Sequence, residues 1–186
     1  SRAGGTMIEH HNVVVTIIDV QKSLAQAMHG REALLDNIGR LIAGCRAFEI
    51  PILWTEQNPA KLGPTLPGIA RAMPEGLAPI PKMSFSCCGE QAFCDALAAT
   101  GRSEVLLAGI EAHICVYQTA VDLLDRGLRV QVVSDAVSSR AVHNRDTALI
   151  RMRDAGAVPT TVEMLLFEML RTAASPRFKA VAAIVK

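Results

Sequence analysis

The chain lacks an excess of charge of either sign: nineteen Lys and Arg stand against eighteen Asp and Glu, a formal net charge of +1. A binder of nucleic acid or of an anionic membrane is expected to carry a strong positive field, so neither partner is expected. Long apolar runs are missing as well. Charges interrupt every hydrophobic stretch before it reaches the ~20 residues that cross a bilayer. No secretory signal pattern is seen, and Ser1 to Thr6 ahead of Met7 read as an expression remnant. The five cysteines, at 45, 87, 88, 94 and 115, contain no CxxC pair. That argues against a zinc ribbon or a thioredoxin-type site, and the odd count fits reduced thiols in a cytoplasmic compartment better than a disulfide framework. No GxGxxG or P-loop glycine pattern occurs, so no nucleotide cofactor is expected. Cys87, Cys88 and Cys94 do not have metal-ligand spacing, and no metal site is expected from them.

What the chain does have is core-forming material. Half of its 186 residues are apolar and 20% are charged, which suits one packed domain over residues 7–186. Val13 to Ile18 form an unbroken β-branched run, the pattern of a strand covered on both faces. Leu34, Leu35, Ile38, Leu41, Ile42, Cys45 and Phe48 recur at helical spacing. Further strands are predicted over 51–55, 82–85, 104–109, 128–133 and 158–162, with helices over 90–99, 115–126 and 146–155. The tail from Glu163 reads as helical, with Ser175-Pro176 restarting a last helix. Residues 57–81 hold six of the nine prolines and read as a long, rigid connection without regular helix. Alternating strand and helix predict a three-layer α/β/α domain on an open, mainly parallel sheet.

Ligands of open parallel sheets sit beyond the carboxyl ends of the strands. Asp19 ends the first predicted strand, Lys82 opens the third, and Cys115 follows the fourth. A helix N-terminus at Cys115 and a lysine beside it would favour a thiolate, while a neighbouring carboxylate could take the thiol proton during attack. On the residues alone, Asp19 could instead cap the following turn, Lys82 could be a surface lysine, and Cys115 a small buried hydrophobe. Trp54, Gln57, Phe85 and His113 are candidate pocket residues, each with a core, loop or supporting role as its alternative. Glu56 is weighed in the same way.

The string Gly109-Ile-Glu-Ala-His-Ile-Cys115-Val116, then Thr119-Ala120, Asp122, Gly127 and Val130, resembles the isochorismatase-like hydrolase superfamily. Ser134-Asp135-Ala136 with Ser139-Arg140, the strand ending Ile18-Asp19-Val20-Gln21, and Pro81-Lys82 continue the resemblance over residues 12–165. It implies Asp19 as general base, Lys82 as its electrostatic support and Cys115 as nucleophile. It also implies a cis Ile110–Glu111 bond, with the N–H groups of Glu111 and Cys115 as an oxyanion hole. The implied activity is hydrolysis of a small amide or related C–N bond through a thioester. Alternatives are hydrolysis of a small ester or vinyl ether on the same fold, or a non-catalytic binding or assembly protein.

Two departures narrow this. No histidine lies between His29 and His113, so the metal site of the superfamily's nicotinamidases is not expected. The cysteine itself argues against the vinyl-ether reaction of true isochorismatases. Thr55-Glu-Gln-Asn-Pro59 and Leu62-Gly-Pro-Thr65 are more similar to the isochorismatase-domain-containing branch. The expected partners are a small-molecule substrate and a second copy of the chain, the latter because Met164, Leu165, Leu166, Phe167, Met169 and Leu170 are denser than one helix face requires. Cys115 is expected to be the most acidic of the five thiols, with Cys45 and Cys94 slow to react on apolar helix faces.

Overall fold

In the computed structural model, which describes residues 7–186, the β-branched run becomes the middle of a sheet. The expected remnant at Ser1–Thr6 lies outside the described residues. Strand β1 (Val13–Ile18) is buried at all six positions, as continuous hydrophobicity requires. The others are β2 (Ile52–Gln57), β3 (Ile80–Lys82), β4 (Glu104–Ile110), β5 (Arg129–Ser138) and β6 (Val158–Thr160). Their order is β3-β2-β1-β4-β5-β6, and every neighbouring pair is parallel.

The helices are α1 (Lys22–Ala25), α2 (Arg31–Phe48), α3 (Pro59–Leu62), α4 (Pro67–Ala72), α5 (Gln91–Ala99), α6 (Tyr117–Asp125), α7 (Val142–Ala155), α8 (Val162–Leu170) and α9 (Phe178–Val185). The alternation of side chains along β1 divides the core in two. Val13, Val15 and Ile17 join α2, α8 and α9 on one face, and Val14 and Ile18 join α5, α6 and α7 on the other. The three-layer α/β/α architecture is the one expected.

Several boundaries differ from expectation, each for a local reason. The proline-rich stretch is not devoid of helix: α3 and α4 both begin with proline in their first turn, where the missing N–H costs nothing. Strand β3 ends at Lys82 instead of starting there, because Pro81 is tolerated on this edge strand. Strand β5 runs on to Ser138 past an irregularity in its pairing with β4 between Leu107 and Gly109. Helix α9 begins at Phe178, two residues beyond Pro176. The apolar tail is mostly core: Leu165, Leu166, Met169 and Leu170 are buried, whereas Met164 and Phe167 are exposed.

The chain runs outward from β1 through β2 to β3, then returns to place β4 on the other side of β1. The order therefore reverses between β1 and β4, and such a reversal opens a crevice beyond the strand ends. Gly109 makes it tight. Opposite Ile18 in the register, it has φ +115, and a Cβ there would fall 2.1 Å from the Ile18 carbonyl oxygen. Only glycine fits.

Candidate active site

Asp19 is the first residue past β1 and sits at φ 54, in the left-handed region that a non-glycine residue enters only when its surroundings hold it there. Its N–H donates to the Thr55 carbonyl at 3.2 Å, and its own carbonyl accepts from Gln21 N–H at 2.8 Å. The carboxylate is fully buried. Oδ1 accepts from the Thr55 hydroxyl at 2.8 Å, and Oδ2 faces Lys82 Nζ at 2.8 Å, with both side chains at 0% exposure.

Lys82 reaches this position from the end of β3, and the turn that follows closes around it. Its Nζ donates to the Ser84 carbonyl at 3.1 Å, the Phe85 carbonyl at 2.9 Å and Gln57 Oε1 at 2.5 Å. Burial by itself would lower the lysine's pKa. The Asp19 carboxylate, and beyond it the Cys115 sulfur, outweigh that and hold it above the ordinary value.

Cys115 lies on a π-helical turn (Ala112–Val116) between β4 and α6. The regular helix begins only at Tyr117, so the expected α-helical N-terminus at the thiol is replaced by a wider turn. Such turns recur at functional sites. Preceding it, the Ile110–Glu111 peptide is cis. The rank expected of Cys115, most acidic of the five thiols, finds no support here. Burial first, and then the Asp19 carboxylate, push the Cys115 pKa up to about 12, and the nearby Lys82 only moderates the rise. Cys45 and Cys87 are also pushed to about 12, by burial. Cys94, expected on an apolar helix face, is half-buried, and its sulfur accepts from Arg126 Nη1 at 3.0 Å.

The supporting residues explain much of the motif string. The Glu111 carboxylate accepts from the N–H of Arg140 at 3.0 Å and from its Nε at 3.1 Å. His113 Nδ1 lies 2.8 Å from the Ser139 hydroxyl. Ser139-Arg140 thus fastens the turn that carries Cys115, and one ring nitrogen of His113 is engaged in that contact.

Three other candidates also find different tasks. Trp54 points away from the thiol into the opposite core layer, its Nε1 donating to the Thr65 hydroxyl at 2.8 Å. Gln57 engages Lys82 with Oε1 and donates from Nε2 to the Met83 carbonyl at 2.8 Å, so it positions the lysine. Glu56 is buried and accepts from Thr65 N–H at 2.5 Å and from its hydroxyl at 2.7 Å. Phe85 stays exposed next to Lys82.

Thr55, which clamps Asp19, was missed; a threonine within a strand gives no sequence signal of its own. The segment 57–81 is fastened beside Asp19, with Leu66 N–H on the Val20 carbonyl and Gln21 Nε2 donating to the carbonyls of Gln57 and Gly63. Among the described residues no three His, Cys, Asp or Glu side chains group so as to hold a metal ion. No helix of the described residues is long and apolar enough to cross a membrane.

The isochorismatase domain model matches residues 13–164, from β1 into α8. The chain belongs to the isochorismatase family. Isochorismatase domain-containing protein 2 of Danio rerio is 38% identical over 166 residues, 89% of this chain and 83% of that protein. This is the branch expected from the sequence. Among solved structures, MAR1 ribonuclease from Caenorhabditis elegans is 36% identical and superposes with a TM-score of 0.91, covering 97% of this chain and 92% of that one. The YcaC gene product of Escherichia coli, described as an octameric hydrolase of unknown specificity, shares the fold at 23% identity, with a TM-score of 0.90 over 97% of this chain and 89% of that one.

Proposed function

We propose that this isochorismatase-family chain is a cysteine hydrolase of a small carboxamide or related C–N bond. The observation that carries the proposal is the convergence of Asp19, Lys82 and Cys115 at the strand-order reversal, where a buried ion pair lies against a buried thiol. A thiol raised to about 12 is protonated at rest, so it needs a base during attack.

Asp19 is that base. As Cys115 Sγ bonds to the amide carbon, the thiol proton passes to the Asp19 carboxylate, and Lys82 balances the charge. The N–H groups of Glu111 and Cys115 stabilise the oxyanion, a contribution of about 3 kcal/mol per donor in comparable sites. The proton then moves from Asp19 to the departing amine as the C–N bond breaks. Water cleaves the thioester and restores the thiol. A metal or organic cofactor has no part in this scheme.

Cleavage of RNA, which the name of the nematode relative would suggest, finds less support. Its phosphate would want free cationic groups, yet the buried ammonium is already surrounded by oxygens and the net charge is +1. For quaternary structure we favour a homo-oligomer formed through exposed apolar residues such as Val158, Met164 and Phe167. Sedimentation of a 19.9 kDa species alone would oppose that.

The deciding experiment is ammonia release from a panel of small primary amides by the wild-type protein and by Cys115→Ala. The variant should keep the wild-type fold and lose at least about a thousandfold in turnover. Undiminished release by Cys115→Ala, or cleavage of RNA in place of amides, would overturn the assignment.

A further inference from the structure

The groove between the Cys115 turn and α7 has a composition that packing does not explain. Helix α7 brings Asn144, Thr147, Ala148 and Arg151 to it, at the i, i+3, i+4, i+7 spacing that an amphipathic helix usually gives to apolar side chains. Three of the four are polar. Ala148 is buried, and its short side chain leaves a cavity of about 80 Å³, walled on the other side by His113 and Tyr117. None of Asp19, Lys82 and Cys115 lines it.

The polar groups around this cavity are largely unengaged. Of the three arginines of α7, Arg145 pairs with Asp146 at 2.8 Å and Arg153 with Asp154 at 3.2 Å. Arg151 makes no ion pair and no hydrogen bond among the described residues. Its guanidinium carbon lies 4.7 Å from the centre of the Tyr117 ring, a contact that holds the charge beside the cavity. His113 gives Nδ1 to Ser139, which leaves Nε2 open. The Asn144 amide and the hydroxyls of Tyr117 and Thr147 also have no partner among the described residues. No Asp or Glu lines the cavity.

We propose that this cavity is an oxyanion-binding site, which takes the carboxylate or phosphate group of a small metabolite.

The lining suits such a group. An unpaired guanidinium offers a fork of N–H donors to two oxygens of one anion, the strong, charge-assisted class of hydrogen bond. Asn144, Thr147, Tyr117 and His113 can each add a donor, and no carboxylate is there to repel the ligand. The cavity admits one carboxylate or phosphoryl group and leaves the rest of the ligand in solvent. A single guanidinium does not match the run of phosphates of a nucleic acid.

The test is a titration of the isotope-labelled full chain with sodium phosphate, sodium acetate or acetamide, sodium chloride holding the ionic strength constant, followed by amide NMR shifts. Phosphate or acetate should shift His113, Asn144, Thr147 and Arg151 saturably, with half-saturation at millimolar concentrations, and the neutral acetamide should leave them in place. Arg151→Met should weaken binding at least about tenfold, and Arg151→Lys less, because it keeps the charge without the fork. Arg153→Met removes a guanidinium already paired with Asp154 and should change the affinity less than about twofold. The dispersion of the same spectra reports folding of each variant. Tighter binding of phosphate assigns the site to phosphate esters and tighter binding of acetate to carboxylates; either upholds it. Shifts that do not saturate, an equal response to acetamide, unchanged affinity in a folded Arg151→Met protein, or an equal loss in Arg153→Met would overturn the proposal. The readout involves no turnover, so its outcome is independent of the role proposed for Cys115.

Discussion

Replacing Lys82 by Met keeps the length of the side chain and removes its charge. The ammonium faces Asp19 Oδ2 at 2.8 Å, Gln57 Oε1 at 2.5 Å and the carbonyls of Phe85 and Ser84 at 2.9 and 3.1 Å, so four oxygens lose their cation together. The most costly loss is at Asp19, whose side chain is 0% exposed and would then keep only the Thr55 hydroxyl. Breaking a buried pair from one side costs about 3–5 kcal/mol. For a domain of this size that lowers Tm by roughly 6–20 °C. Adding Asp19→Asn removes the stranded charge, so the double variant should recover at least about 2 kcal/mol relative to the sum of the single changes. Urea and thermal unfolding at pH 7 read all of this. The lysine's raised pKa means its stabilising contribution is fully present below its ordinary 10.5 and is lost only as pH rises through the higher folded value. A Lys82→Met protein less than about 1 kcal/mol weaker than wild type, or strict additivity in the double variant, would refute a desolvated, coupled pair.

Alkaline stability offers a cleaner titration. Cys45 is held near 12 by burial, against 9.0 in an open chain, so its contribution is complete below pH 9 and is lost towards pH 12. Urea unfolding under reducing conditions should show wild-type stability falling by about 1.4 kcal/mol per pH unit more than Cys45→Ala does above pH 9. Gly109→Ala should cost about 3 kcal/mol or more, because its Cβ would meet the Ile18 backbone at 2.1 Å with φ at +115. Gly44→Ala should cost less, since its clash at 2.4 Å is with the flexible end of Leu166; the two denaturation midpoints decide. Glu56→Ala strands the buried Thr65 N–H and hydroxyl. It should lose about 1–3 kcal/mol and become more open to limited proteolysis within 57–81, whereas a residue acting only on substrate choice would leave both unchanged.

Which parts of this were legible in the sequence follows from how local each signal is. The β1 run and the α2 face are repeated patterns, and both elements fall where the pattern places them. Asp19 could be placed because strand ends in a parallel sheet share one edge; Lys82, expected to open a strand, reaches that edge because it ends β3. The tasks of Gln57, Glu56 and Trp54 were not legible. All three lie within four residues of β2, and the pleat that sends Gln57 to Lys82 sends Trp54 and Glu56 towards Thr65 on the opposite side. The contact from Arg126 to Cys94 was not legible because the two lie 32 residues apart in sequence. The rank expected of Cys115 followed from a helix start and a neighbouring lysine; burial, which sequence spacing does not measure, joins the Asp19 carboxylate in reversing it.

That reversal bears on why the ion pair is there at all. Desolvating a carboxylate and an ammonium is expensive, and apolar replacements of similar volume are often as stable or more so. Stability alone therefore gives little reason to bury Asp19 and Lys82. The surroundings add to the cost: Asp19 is held at φ 54, and Gly109 is pressed onto the Ile18 backbone beside it. Such concentrations of unfavourable local structure persist where the rest of the fold enforces them, and they gather at sites of chemistry. A thiol kept protonated by burial and by the Asp19 carboxylate gains from this arrangement only if a neighbour can accept its proton. The lysine keeps its proton, since its pKa is raised, and the carboxylate beside it is the remaining acceptor. On the mechanism proposed above, proton transfer between Cys115 and Asp19 would give the polar interactions at the reversal of strand order a use that folding alone does not.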